Sequence, residues 1–145
     1  MFLGQYAFTL DEKGRMTVPA RFRDELTGGL VLTRGLDRCL AVYPLVMWAE
    51  IAQKVNALPI THPQGRALRR IFFADAMDAT PDRQGRILIP DRLREYADIG
   101  PSGEAVIVGL DRFIEIWNPQ RWAETNALQM ELMDEDPALW EPLHI

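Results

Sequence analysis

Residues 82–90, Asp-Arg-Gln-Gly-Arg-Ile-Leu-Ile-Pro, restate residues 11–19, Asp-Glu-Lys-Gly-Arg-Met-Thr-Val-Pro, and this duplication limits what the chain can fold into more than any other feature. With residues 11–26 set over residues 82–97, an offset of 71, the pairs Asp11/Asp82, Gly14/Gly85, Arg15/Arg86, Pro19/Pro90, Arg21/Arg92 and Arg23/Arg94 are identical. A second block returns at an offset of 74: Gly-Leu-Asp-Arg at 35–38 and 109–112, and Trp-Ala-Glu at 48–50 and 122–124. The three-residue difference falls at Gly100-Pro101-Ser102-Gly103, a stretch with the composition of a longer loop. Two copies of about 70 residues exceed the 20–50-residue periods of solenoids, so the expected product is one pseudo-two-fold domain whose halves complete each other.

Within each copy the residues have a mechanical sense. Asp11 and Asp82 start a turn through their side chains, Gly14 and Gly85 supply a positive φ, and Arg15 and Arg86 open the next strand. That strand must stop at Pro19 and Pro90, which lack the N–H a ladder needs but suit the first turn of a helix. Each unit therefore reads strand, tight turn, strand, Pro-started helix.

The remaining periodicities extend this unit. Residues 2–10 alternate as a strand, residues 20–26 form a short helix with Phe22 and Leu26 inward, and residues 30–33 and 39–43 form a hairpin. A helix over 44–58 carries Val46, Met47, Ile51 and Val55 at helical spacing, and a linker helix over 64–73 carries Leu68, Ile71 and Phe72, with Arg69 and Arg70 expected to hold it against an acidic partner. The pattern restarts with a strand over 74–80, a strand over 86–89, a helix over 90–99 with Leu93 and Tyr96, and a hairpin from 105–108 and 113–117. Asn118 and Pro119 are a cap and first-turn pair for a last helix with Trp122, Leu128 and Leu132. Trp48 and Trp122, at matching sites on apolar stripes, are read as core or subunit packing, not as base-stacking groups.

At 145 residues and 48% hydrophobic the chain has material for one sizeable core. Its apolar runs are strand-length, so no membrane partner is expected and the protein is placed in the cytoplasm. Cys39 is the single cysteine, which excludes an internal disulfide and suits a small core residue. A net charge of −5 argues against nucleic acid until it is located. Residues 123–145 hold six acids and no Lys or Arg, which leaves sixteen basic against fifteen acidic residues in 1–122. Clustering of arginine, not overall charge, then decides whether a basic surface exists.

The doubled Asp-x-x-Gly-Arg unit, joined by Arg69-Arg70-Ile71-Phe72-Phe73-Ala74 and followed in both halves by Gly-Leu-Asp-Arg, resembles the MraZ family of bacterial transcriptional regulators over residues 1 to about 130. Each half also resembles the AbrB/SpoVT module. The resemblance implies an α+β fold: an AbrB-like swapped-hairpin, double-split β-barrel from two tandem pseudo-symmetric repeats with flanking helices. It places repeat 1 at 5–50, repeat 2 at 76–124, a linker helix at 59–75, and a C-terminal helix with acidic tail at 125–145. It further implies double-stranded DNA as partner and a ring-shaped homo-oligomer, octamer or larger, on the nucleoid. Such a ring would bind tandem promoter repeats and repress its own division and cell-wall gene cluster. The DNA-facing positions it implies are Arg15, Arg86, Arg23 and Arg94, with Lys13 and Arg83 beside the same turns, and Asp11, Gly14, Asp82 and Gly85 forming those turns. Arg21 and Arg92 share the helices and are weaker candidates, and Asp91 and Glu95 lower the phosphate affinity expected of the second half.

Simpler roles compete with these. Arg15 and Arg86 would pair with Asp11 and Asp82 in a purely structural turn, although exposed pairs of that kind hold little stability and give weak reason for the same pair twice. The helix arginines serve equally as a solvated face. A ring-forming interaction protein without direct DNA binding is the alternative from another class. Catalysis, metal and cofactor binding are not expected: His62 lies in a linker, His144 is near the end, and no nucleophile–base cluster or phosphate loop is spaced for chemistry.

Overall fold

The computed structural model describes residues 1–144 and is a mixed α+β arrangement. In chain order it runs β1 (Gln5–Thr9), β2 (Arg15–Thr17), α1 (Ala20–Leu26), β3 (Leu30–Arg34), β4 (Leu40–Pro44), α2 (Leu45–Asn56) and α3 (Pro63–Phe73). The second half continues with β5 (Met77–Ala79), β6 (Arg86–Leu88), α4 (Asp91–Ala97), β7 (Glu104–Gly109), β8 (Ile114–Trp117) and α5 (Pro119–Glu135). Two 3-10 turns, Pro137–Leu139 and Glu141–Leu143, follow.

Six strands form one antiparallel sheet in the order β1-β7-β8-β4-β3-β5, and β2 and β6 form a separate two-stranded ribbon. The hairpins β3–β4 and β7–β8 meet at the sheet centre, where Leu40 opposes Ile116 and Val42 opposes Ile114. The outer strands are exchanged. β1 of the first repeat pairs with β7 of the second, Ala7 opposite Val106, and β5 of the second pairs with β3 of the first, Val31 opposite Asp78. Neither half therefore owns a complete sheet.

The core has the same divided ownership. Met16, Val18, Phe22 and Leu26 from one half and Ile87, Ile89, Leu93 and Ala97 from the other are buried in a single cluster. Phe22 anchors it with edge-on contacts to Phe2 and Tyr6, at centroid separations of 5.2 and 5.5 Å. Helix starts follow the sequence signals: Pro19, Pro44 and Pro90 precede α1, α2 and α4, and Asn118 accepts a hydrogen bond from the Arg121 amide at 3.1 Å to cap α5.

Three expectations need correcting. The strand expected over 74–80 is only Met77–Ala79, because the Ala74 and Ala76 amides still bond back to Arg70 and Phe73 and use that stretch to end α3. Val46 is 75% exposed and does not belong to the buried stripe of α2; Trp48 takes that place, between Tyr43 and Phe73. Arg69 has no acidic partner among the described residues. Its guanidinium donates to the carbonyls of Asn56 and Leu58, groups that the end of α2 leaves open, and to that of Gly65 one turn back on its own helix. Arg70 is exposed.

Candidate nucleic-acid interface

The ribbon is the part of the molecule that both copies of the motif build together. Its register sets Arg15 opposite Leu88, Met16 opposite Ile87 and Thr17 opposite Arg86. Met16 and Ile87 are buried, so the alternation of a strand sends Arg15, Thr17, Arg86 and Leu88 to the outer face. Arg15 and Arg86 are then diagonal neighbours, about 7–8 Å apart at that spacing. Thr17 and the 47% exposed Leu88 were not singled out from sequence, although the inward Ile87 between Arg86 and Leu88 carried the signal.

Each arginine leaves a turn that its own aspartate ties. Asp11 Oδ1 accepts the amides of Lys13 at 3.0 Å and Arg15 at 2.8 Å, while Oδ2 accepts Arg15 Nε at 2.6 Å. Asp82 does the same: Oδ1 accepts the Gln84 and Arg86 amides at 2.9 Å, and Oδ2 accepts Arg86 Nε at 2.9 Å. The amide of the following arginine, with a further contribution from its guanidinium, holds both carboxyls below their ordinary 3.8. Only Nε of each guanidinium is used in this way. The pairing weighed as a simpler role is thus present, and it fixes the direction in which the arginines leave the turn.

Gly14 and Gly85 are needed at the apex twice over. Their φ values are +80° and +76°, in the left-handed region. A Cβ on Gly14 would also lie 3.1 Å from Arg94 Nε, and one on Gly85 only 2.4 Å from Arg23 Nε. The helix arginines therefore lie across the turns of the opposite repeat. Arg23 Nε donates to the Val18 carbonyl at 3.0 Å and Arg94 Nε to the Ile89 carbonyl at 3.1 Å. Arg94 is 8% exposed and also paired with Asp91, a burial not expected of a DNA-facing side chain. Arg23 is half-buried. The sequence signal for this arrangement was the joint repetition of the Gly and the Arg.

Lys13 and Arg83 are exposed in the turns beside the ribbon. The acids of the same turns are Asp11, Glu12 and Asp82, of which the two aspartates are engaged within the turns. Arg21 and Arg92 are tied elsewhere: Arg21 donates to the Tyr6 hydroxyl at 2.6 Å, and Arg92 lies 3.0 Å from Asp75, which Arg34 also contacts at 2.7 Å. Trp122 packs on Trp117 and donates to Gln5 Oε1, in keeping with a packing role. Cys39 is buried, and burial followed by the Glu115 carboxylate pushes its thiol far above the ordinary value. Among the described residues no group of His, Cys, Asp and Glu is arranged to hold a metal, and no helix is long and apolar enough to cross a membrane.

Comparison with known proteins matches both halves to one family. The family model described as "MraZ protein, putative antitoxin-like" fits residues 1–71 and again residues 72–138. The chain is 52% identical over 141 residues to "Transcriptional regulator MraZ" of Herpetosiphon aurantiacus, covering 97% of this chain and 95% of that protein. It is 54% identical to the protein of the same name from Roseiflexus castenholzii, over 84% of each chain. It is 50% identical to that of Thermomicrobium roseum, over 85% of each.

Proposed function

The chain belongs to the MraZ family of transcriptional regulators, and from that premise we propose that it regulates by gripping duplex DNA with the outer face of the β2–β6 ribbon. A two-stranded ribbon is of a size that the major groove admits. Arg15 and Arg86 supply the central contacts from its outer face, and Lys13 and Arg83 meet phosphates on either side. Backbone contacts of this kind hold the protein in register, while base edges under the ribbon give the sequence preference.

In this proposal the fold is the AbrB-like swapped-hairpin, double-split barrel, with repeats at 5–50 and 76–124, a linker helix at 59–75 and an accessory helix and tail at 125–145. The exchange of β1 and β5 between the hairpins supports it. Subunits assemble into a ring of eight or more on the nucleoid, bind tandem promoter repeats and repress their own division and cell-wall gene cluster. One ribbon brings few cations, so useful affinity requires several subunits engaged at once, an arrangement that gains roughly 10²–10⁴ without new contacts.

The single observation carrying this proposal is the ribbon register, which sends the duplicated arginines to one outward face and their aliphatic neighbours into the core. Footprinting of the full-length protein on the region upstream of its own gene is the test. Protection at regularly spaced short repeats is the expected result. A protein that assembles but protects nothing there at low salt would favour an interaction scaffold instead.

A further inference from the structure

The exchange of strands between repeats is accompanied by an exchange of arginines. Arg23 leaves α1 in the first repeat, donates to Val18 at the end of β2, and lies across Gly85 in the second. Arg94 leaves α4 in the second repeat, donates to Ile89 after β6, and lies across Gly14 in the first. The backbone makes the same crossing. The Val18 amide donates to the Gly85 carbonyl at 2.8 Å and the Ile89 amide to the Gly14 carbonyl at 2.9 Å. At its glycine each turn thus has its carbonyl bonded by an amide of the opposite repeat and a guanidinium of that repeat packed close against it.

We infer that Arg23 and Arg94 are positioning residues, each fixing the turn that aims the other repeat's arginine, Arg86 and Arg15 respectively. Deepening the DNA-binding proposal, this inference rests on it for the purpose of the turns but not for the coupling itself. The pairings support positioning over direct contact. Arg94 has its Nε on a carbonyl and an Nη on Asp91, and little of it reaches the surface. A phosphate could reach its remaining N–H groups only through the small part of the side chain that is exposed. Asp91 then has a use in the ribbon of its own subunit: 84% exposed itself, it anchors the buried guanidinium from outside. Position 20, its counterpart by the repeat offset, is Ala20, so the turn at Gly85 is held with one anchor fewer than the turn at Gly14.

The inference predicts a crossed pattern. Amide hydrogen exchange on full-length Arg94→Ala should quicken by about tenfold or more at Gly14 and Arg15, with Gly85 and Arg86 unchanged. Arg23→Ala should do the reverse. If Arg94→Ala does not fold, Asp91→Ala removes the outer anchor alone and should give the same pattern, a few-fold in size. Quickening in the arginine's own repeat, or in neither turn, overturns the inference whatever happens with DNA. On promoter duplex, Arg94→Ala combined with Arg15→Ala should cost little more than Arg15→Ala alone, whereas its combination with Arg86→Ala should cost the product of the two. Independent losses in both combinations would give Arg94 a phosphate of its own and also overturn the inference. If Arg15 and Arg86 prove irrelevant to DNA, the functional proposal fails and the exchange pattern still decides the coupling.

Discussion

Replacing Arg15 or Arg86 with alanine separates affinity for DNA from the stability of the fold, because the two depend on different parts of the same turn. In Arg15→Ala, Asp11 Oδ1 still accepts the amides at positions 13 and 15, and the Gly14 amide still reaches the Asp11 carbonyl at 3.0 Å. Only the Nε contact is lost, on a side chain 29% exposed, so the melting temperature and assembly mass should stay nearly constant. Binding should respond differently. Each phosphate neutralised contributes a slope of about −0.9 in log affinity against log salt. Over a fourfold rise in salt, from roughly 50 to 200 mM, one lost contact removes about a 3.5-fold share of the salt-driven weakening, and the double variant about twelvefold, per ribbon engaged. Fluorescence anisotropy with labelled promoter duplex at several salt concentrations gives the slope directly. A double variant that keeps both its affinity and its slope would show the turns to be structural and the ribbon not to be the DNA face.

Three further outcomes follow from the architecture. A fragment of residues 1–62 retains only the β3–β4 pairing of the six strand pairs and should aggregate or remain unfolded; a cooperative thermal transition at low concentration would refute the interleaved core. Asp11 and Asp82 have folded-state values below 3.8, so their contribution to stability is fully present above that value and is lost as pH falls through the depressed range. The melting temperature of Asp11→Asn/Asp82→Asn should therefore fall less steeply than wild type below roughly pH 4, and equal slopes would contradict the tie. On α5 no residue is buried, and Leu128, Met130 and Leu132 are 62%, 50% and 50% exposed, so light scattering should give a mass well above the 16.6 kDa monomer at micromolar concentration.

Much of this was written locally in the sequence. The turns could be read because Asp, Gly and Arg each act within four residues of one another, and the cap at Asn118 because a side chain and an amide three residues apart suffice to make it. What depended on distant partners was harder to read. Nothing in Gln5–Thr9 states that it pairs with Glu104–Gly109 and not with the nearer β2, since alternation fixes a face but not a neighbour. Arg69 shows the same limit: a basic residue on a helix suggests an acid, while the open carbonyls at the end of α2 are seen only once the chain has folded back. Arg94 looked like a surface cation because helical spacing alone does not say that Gly14 would pass beneath it.

The exchange of outer strands also sets a timetable. Ala7 pairs with Val106, so ninety-nine residues must be added after Ala7 before its partner has been made. At about 5–20 residues per second, β1 waits roughly 5–20 s on the ribosome with its hydrogen-bonding edge open. During that interval β3 and β4 of the same chain also wait with open edges, for β5 and β8, and pairing β1 with either would misthread the sheet. The short Gln5–Thr9 strand, with its exposed Gln5 and Thr9, limits how much such a mistaken pair could gain before the correct partner arrives.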